Sequence, residues 1–143
     1  MPDDPVHAAL GRIARWKLAF AHHPYISNGE HGDAGTYDGT PLQGEDVKLF
    51  LEQGACDKVD VYFAGHDHDL EWLKPVEACG KTQFIVSGAG AKTRIIGGQN
   101  HATYFSRGAT LGFWWVEIAG DTLHAVCYSS TGAQLFEQSV QHA

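Results

Sequence analysis

The sequence predicts an α/β fold with a mixed β-sheet and its helices on one face. Two short apolar runs each end in a polar, histidine-containing loop, as expected of strands that release functional residues at the carboxyl edge of a sheet. The predicted order is helix, strand, helix, strand and then a run of antiparallel strands. Because a parallel sheet usually needs cover on both faces, two helices leave part of the sheet to pack on another element.

The first half of the chain contains both predicted helices. In order, its elements are a helix over residues 5–15, a strand over 16–21, a helix over 42–53 and a strand over 59–64. Pro5 suits the start of a helix, and Gly54 suits a C-cap. The first strand and the second helix are separated by a long glycine-rich loop over residues 25–40, and loops of this length are often functional.

The second half reads as strands joined by turns. The predicted strands cover residues 70–76, 82–86, 111–118, 122–128 and 134–140, with a long polar loop over 91–110. The Ala119-Gly-Asp sequence is a hairpin signal. Trp114 and Trp115 alternate across a strand, so at least one of them is expected in the core.

Length and charge restrict the class of protein. The 143 residues suit a single domain over residues 1–143, and the net charge is −7 without a basic block. This argues against a nucleic-acid or anionic-membrane partner. No apolar run approaches the length of a membrane span. The first residues are acidic and polar rather than a signal peptide. The location stays open, and a cytoplasmic one is expected if the chain is complete as given.

The three cysteines are an odd number without a C-x-x-C motif. This excludes a full disulfide framework and disfavours a zinc ribbon. Cys127 lies in an apolar strand pattern and is expected to be a buried thiol. Cys56 and Cys79 are able to pair, although nothing in the sequence requires it.

The strongest chemical signal is the stretch from Val59 to Asp69, an apolar run followed by Gly-His-Asp-His-Asp. Residues i and i+2 of an extended segment point the same way, so His66 and His68 can address one site. Neutral imidazole is a common metal ligand. The competing interpretation is a pair of solvated loop histidines.

A second histidine cluster strengthens the metal interpretation. The first predicted strand runs into His22 and His23, and His22, His66 and His68 together offer three nitrogen ligands, a known catalytic metal arrangement. His31 in the glycine-rich loop is a candidate substrate clamp or general acid. His23 precedes a proline and is expected to be exposed.

The stretch Ser-Gly-Ala-Gly over residues 87–90 has two interpretations. It can cradle a phosphate, but a lone glycine run is weak evidence for this role. Tight turn geometry is the favoured reason for the glycines.

These motifs resemble a known family. Ala-His-His-Pro at 21–24, Glu-His-Gly at 30–32, Gly-His-Asp-His-Asp at 65–69 and Ser-Gly-Ala-Gly at 87–90 are similar to the C-terminal half of purple (tartrate-resistant) acid phosphatases, which are calcineurin-like metallophosphoesterases. The resemblance implies half of a four-layer αββα sandwich.

The resemblance also implies a two-metal phosphomonoesterase site with Fe, Zn or Mn. His22 and His66 would bind the divalent metal, and His68 would bind an iron-type metal. His31 would contact the substrate phosphate or protonate the leaving group. Asp69 stands where many relatives have asparagine. Relatives are often exported.

The chain departs from the family pattern in lacking the motifs of the family's N-terminal half. The motifs G-D-x-G, G-D-x-x-[DY] and G-N-H-[DE], which supply the remaining ligands, are absent from the chain. Asp33, Asp38 and Asp67 are candidate replacements, and the sequence does not distinguish among them. Half of a sandwich would expose an apolar sheet face, so a homodimer or association with the missing N-terminal half is expected.

The sequence therefore predicts a metal-dependent phosphatase that hydrolyses phosphate monoesters through a metal-activated water. A non-catalytic metal-binding or interaction module, left after loss of the N-terminal half, is the alternative. A metal-independent hydrolase is disfavoured because the chain has no G-x-S-x-G elbow. Two metals per chain would favour the phosphatase, and none would favour the non-catalytic module. The activity of a metal-independent hydrolase would survive chelation.

Overall fold

The computed structural model describes residues 14–97 and 100–142. The helix predicted over residues 5–15 falls almost wholly outside this part. The described elements are β1 (Leu18–Phe20), α1 (Glu45–Gly54), β2 (Val61–Ala64), β3 (Leu70–Leu73), β4 (Gln83–Ser87), β5 (Thr103–Arg107), β6 (Gly112–Ala119), β7 (Thr122–Ser129) and β8 (Gln134–Gln141), with short 3₁₀ helices at Tyr37–Gly39 and Glu77–Cys79. None of the described helices is long and apolar enough to cross a membrane.

The first five strands form one mixed sheet, as the sequence predicts. Its strand order is β1-β2-β4-β3-β5. Strands β1, β2 and β4 are parallel, whereas β3 runs antiparallel to both β4 and β5. Because the three parallel strands end at the same edge, the segments that follow them meet there.

The last three strands form a second, antiparallel sheet rather than extending the first. Its order is β6-β7-β8, and the first hairpin turns at Gly120, whose φ of 60° favours glycine. Trp114 on β6 is buried and its indole N–H donates to the Val86 carbonyl oxygen, while Trp115 is exposed. The expectation that one of the two tryptophans is in the core is therefore confirmed.

The first sheet has apolar residues on both faces because it is covered on both. All four residues of β2 are buried. Tyr62 and Ala64 face the core shared with α1 and the long loop, whereas Val61 and Phe63 face the core shared with the second sheet. Helix, mixed sheet and antiparallel sheet are thus three successive layers, which is the α/β architecture with helix on one face that the sequence predicts.

The prediction of a loop over residues 91–110 is wrong because strand β5 lies inside it. This strand pairs with β3 at the edge of the first sheet. Phe105 stacks on Phe136 of the second sheet at 5.1 Å between ring centroids and contacts Trp114 edge-on. These partners are distant in sequence, so local glycine content gave the wrong prediction.

Cys56 and Cys79 form a disulfide, which the sequence allowed but did not require. Cys127 is a buried free thiol, as expected. The disulfide joins the chain just beyond α1 to the 3₁₀ helix before β4. Both cysteines lie in the core between α1 and the first sheet. The disulfide therefore ties the helical layer to the sheet at the end opposite the histidine loops.

Candidate metal centre

Backbone hydrogen bonds continue beyond the ends of β1 and β2 and hold the two histidine loops together. The Ala21 N–H donates to the Phe63 carbonyl at 3.0 Å, and the Gly65 N–H donates to the His22 carbonyl at 3.0 Å. The parallel register therefore persists until the first histidine of each loop. His22 and His66 meet at the carboxyl edge of the sheet, as the sequence predicts.

The side chains of His22, His23 and His66 form a group of three imidazoles. One ring nitrogen of each lies within 4.8 Å of the others, a spacing suited to holding a metal ion. His22 Nε2 and His66 Nδ1 are 3.1 Å apart. Two imidazoles bound to one metal at about 2.0–2.1 Å have nitrogens roughly 3 Å apart, so these two residues fit a shared ion.

His23 is half-buried in this group rather than exposed. Its ring lies 4.3 Å from that of His66, and its backbone carbonyl accepts a hydrogen bond from the Tyr62 hydroxyl. Burial lowers the pKa of His23, with further lowering from the neighbouring His22 and His31. Burial also lowers the pKa of His66, assisted by His23, His31 and His22. Neutral rings with free lone pairs, the form that binds metals, are favoured as a result.

His68 lies outside the three-histidine group of the described residues. Its Nδ1 is buried without a hydrogen-bond partner. The flanking Asp67 and Asp69 are fully buried, and three of their four carboxylate oxygens have no hydrogen-bond partner either. Burial raises the pKa of Asp69 to about 8, with smaller contributions from Glu71 and Asp67. This part of the site is a buried set of polar groups with unused bonding capacity.

His31 lies against the three-histidine group. Its ring centroid is 4.4 Å from that of His66, and its backbone N–H donates to Asp67 Oδ1 at 2.9 Å. Its Nδ1 is 2.6 Å from Asp38 Oδ1. The glycine-rich loop thus brings His31 to the site, as its position in the sequence suggested.

The three carboxylates considered as replacement ligands each have at least one protein partner, although Asp67 Oδ2 has none. Asp38 contacts His31, and Asp67 receives the His31 N–H. Asp33 receives the Ser27 N–H and contacts His101 Nε2. The three-histidine group in the described part of the chain contains no carboxylate.

His101 is a structural residue that the sequence did not single out. Its Nε2 lies 2.8 Å from Asp33 Oδ2, and this contact raises the pKa of His101. Its N–H donates to the Asn28 side-chain oxygen, and its carbonyl accepts from the Asn28 amide. Because Asn28 and His101 are 73 positions apart in the sequence, no local pattern could reveal these bonds. They join the two long loops beside the candidate metal centre.

The first glycine of the Ser-Gly-Ala-Gly stretch, Gly88, is explained by close packing of backbone. A Cβ on Gly88 would lie 1.7 Å from the Asp67 carbonyl oxygen and 2.4 Å from that of Gly65. Only glycine fits there, because the histidine loop passes directly over it. The glycine lets the loop after β4 lie against the loop after β2.

An open apolar groove of about 590 Å³ lies between the two sheets. Leu18, Phe20 and Phe63 line it from the first sheet, while Trp114 and Ile118 line it from β6. Both β1 and β6 are edge strands of their sheets, and Phe20 is 71% exposed. Gly65 and Ser87 also line the groove, so it extends to the histidine loops.

This fold matches part of the fold of the purple acid phosphatases. The structure of purple acid phosphatase PPD1 from yellow lupin matches 92% of this chain and 26% of that one, with a TM-score of 0.65 and 17% identity. A Plasmodium structure described as "GAP50 the anchor in the inner membrane complex" matches 95% of this chain and 39% of that one, with a TM-score of 0.74 and 19% identity. No family model matches the sequence.

The sequence is also similar to this group of metallophosphoesterases, which confirms the resemblance predicted from the motifs. Purple acid phosphatase 3 of Arabidopsis thaliana is 30% identical over 125 residues, which are 84% of this chain and 31% of the relative. Tartrate-resistant acid phosphatase type 5 of Sus scrofa is 30% identical over 128 residues, which are 84% of this chain and 34% of the relative. The chain spans about a third of the length of these relatives.

Proposed function

We propose that this chain provides the histidine side of a metal-dependent phosphatase that hydrolyses phosphate monoesters. The observation that carries the proposal is the three-histidine group, with His22 Nε2 and His66 Nδ1 3.1 Å apart at the end of two parallel strands. The similarity to acid phosphatases supports a phosphate ester as the substrate.

His22 and His66 are the proposed ligands of a divalent metal, and His68 is the proposed ligand of a second, iron-type metal. The nitrogen separation and the lowered pKa of His66 fit the first assignment. The buried, unpartnered Nδ1 of His68 fits the second, since a polar atom left in this state is costly unless something binds it. Imidazole nitrogen suits Fe, Zn and, less strongly, Mn. When bound, such ions lower the pKa of water and stabilise negative charge on a phosphoryl oxygen.

His31 is the proposed catalytic residue. Its ring lies 4.4 Å from that of His66, which places it beside the candidate metal centre without belonging to the three-histidine group. A histidine at this position can donate a hydrogen bond to the substrate phosphate and a proton to the departing alkoxide.

We also propose that the apolar groove is covered by further polypeptide, corresponding to the N-terminal half of a purple acid phosphatase. The groove lies between two strands, β1 and β6, that are at the edges of their sheets in the described part of the chain, and it exposes Phe20 and reaches the histidine loops. Its occupant could therefore add strands and supply the carboxylate ligands that the three-histidine group lacks. Light scattering at micromolar concentration is the test of the isolated chain. A dimer would indicate a second copy as the occupant, and a monomer at that concentration would contradict the proposal.

Hydrolysis of an aryl phosphate, with and without added Zn²⁺, Mn²⁺ or Fe, tests the function. Wild type, His66→Ala and the matched control His124→Ala are compared, because His124 lies on the second sheet away from the site. Metal-dependent turnover that is lost in His66→Ala alone is the expected result. Turnover that survives chelation, or that His66→Ala retains, would contradict the proposed metal site, and no turnover with any metal would mean that this chain is not a phosphatase on its own.

A further inference from the structure

Asp38 and His31 form a short histidine–carboxylate contact at the candidate site. Asp38 Oδ1 lies 2.6 Å from His31 Nδ1. The backbone strengthens the arrangement, because the Asp38 N–H donates to the His31 carbonyl at 2.9 Å. Both the main chain and the side chain of Asp38 are therefore joined to the same residue.

The loop holds Asp38 in an uncommon conformation to make this contact. Its φ and ψ are 55° and 24°, in the left-handed region, within the 3₁₀ helix Tyr37–Gly39. Aspartate tolerates this region better than most residues, although glycine is preferred there. Gln43 donates from Nε2 to Asp38 Oδ2 at 3.3 Å, so the second carboxylate oxygen is also held.

The contact decides which nitrogen of His31 is available. A carboxylate accepts hydrogen bonds and does not donate them when ionised. The bond to His31 lowers the pKa of Asp38, so the ionised form is favoured. His31 Nδ1 must then carry a proton, which leaves Nε2 as the ring nitrogen for a ligand. Carboxylates that orient histidines in this way commonly set the tautomer at functional sites.

We propose that Asp38 is a positioning residue that keeps a proton on His31 Nδ1 and so turns Nε2 toward the phosphate ester, to which Nε2 donates when the ring carries a second proton. The inference rests on the proposed catalytic role of His31. It assigns Asp38 a role other than metal ligand, since both of its oxygens already have protein partners.

The first test is the tautomer of His31 in the metal-free chain, read by long-range ¹H–¹⁵N correlation spectroscopy at a pH where the ring is neutral. The His31→Gln spectrum assigns the signal. Wild type should show the Nδ1–H form, and Asp38→Gly should shift the population toward the Nε2–H form. Glycine is chosen because it accepts the φ of 55°. Asp38→Asn retains an acceptor oxygen and should restore the wild-type tautomer.

A matched control removes another left-handed aspartate. Asp57 has a φ of 60° and lies near the disulfide, away from the histidines, where its carboxylate accepts the Lys81 N–H. Asp57→Gly should leave the His31 signal unchanged. The same tautomer in wild type and Asp38→Gly, or an equal change in Asp57→Gly, would overturn the proposal.

If the chain hydrolyses an aryl phosphate, steady-state kinetics give the second readout. Asp38→Gly should lower kcat about 10- to 100-fold with little change in KM, and Asp38→Asn should recover part of the loss. An unchanged kcat in Asp38→Gly would overturn the positioning role. If no variant turns over substrate, the proposed function fails on that result, whereas the tautomer measurement still decides the role of Asp38.

Discussion

His22 Nε2 and His66 Nδ1 lie 3.1 Å apart, although the two residues are separated by 44 positions in the sequence. The distance follows from the parallel pairing of β1 and β2, which continues through the Gly65 N–H to His22 carbonyl bond. Two neutral imidazoles this close need either a shared proton or a shared metal ion. The lowered pKa of His66, caused first by burial and then by its histidine neighbours, favours a neutral His66 ring, which is the form that binds a metal ion.

The Asp33–His101 contact predicts a pH-dependent stability. Hydrogen bonding to Asp33 raises the pKa of His101, with Glu71 adding a smaller effect, so the folded state binds a proton more tightly than the unfolded state. The stabilisation is therefore complete below about pH 6.5, the unfolded value, and is lost as the pH rises through the folded value. His101→Gln should lower the free energy of unfolding by about 1 kcal/mol more at pH 5.5 than at pH 8.5. Urea denaturation at the two pH values measures this difference.

The control is His124→Gln, because His124 contacts the exposed Glu137 at 3.4 Å and such surface pairs contribute little. It should show a much smaller pH-dependent change. An equal loss at both pH values in His101→Gln would show that the contact acts only as a neutral hydrogen bond.

The disulfide predicts a measurable loss on removal. Cys56 and Cys79 are 23 positions apart, and closing a loop of this size stabilises a protein by about 3 kcal/mol in the chain-entropy view. The Cys56→Ser/Cys79→Ser variant should lose roughly this free energy of unfolding in urea. Reductant should lower the stability of wild type and leave the variant unchanged. A variant as stable as wild type would mean that the bridge does not contribute.

Two glycines of the same stretch provide a matched pair. Gly88→Ala would put a Cβ 1.7 Å from the Asp67 carbonyl oxygen, whereas a Cβ on Gly90 would meet nothing within 4 Å. Gly88→Ala should therefore cost about 3 kcal/mol of stability by overpacking, and Gly90→Ala should change it by less than about 0.5 kcal/mol. Thermal denaturation of both variants measures the contrast. Similar melting temperatures would show that the histidine loop does not pack on Gly88 in solution.

The parts of the site that strand pairing dictates were predictable from the sequence. His22 and His66 follow apolar runs, and parallel strands end at a common edge, so their meeting follows from local pattern and a general rule. The participation of His23 was not predictable, because the residue before a proline gives no sign of which way its ring turns. The pairing of Asp38 with His31 depends on one left-handed residue in a long loop, which sequence pattern does not reveal.

The fold, like the site, was predictable from the sequence only in part. The buried run at β2 and the paired tryptophans indicated a sheet and a core, and both are present. Strand β5 was missed because its stability comes from Phe136 and Trp114, which lie in the second sheet. The separation of β6, β7 and β8 into their own sheet likewise depends on packing across the core rather than on any local period.

Metal content is the most direct test of the claim that these histidines form a metal centre. The chain is incubated with Zn²⁺ and freed of excess metal by gel filtration. The zinc bound per chain is then measured by elemental mass spectrometry. Wild type and His124→Ala should each retain at least one ion per chain, and the His22→Ala/His66→Ala variant should retain none. A wild type without zinc, or a double variant that retains as much as wild type, would contradict a metal centre at His22 and His66.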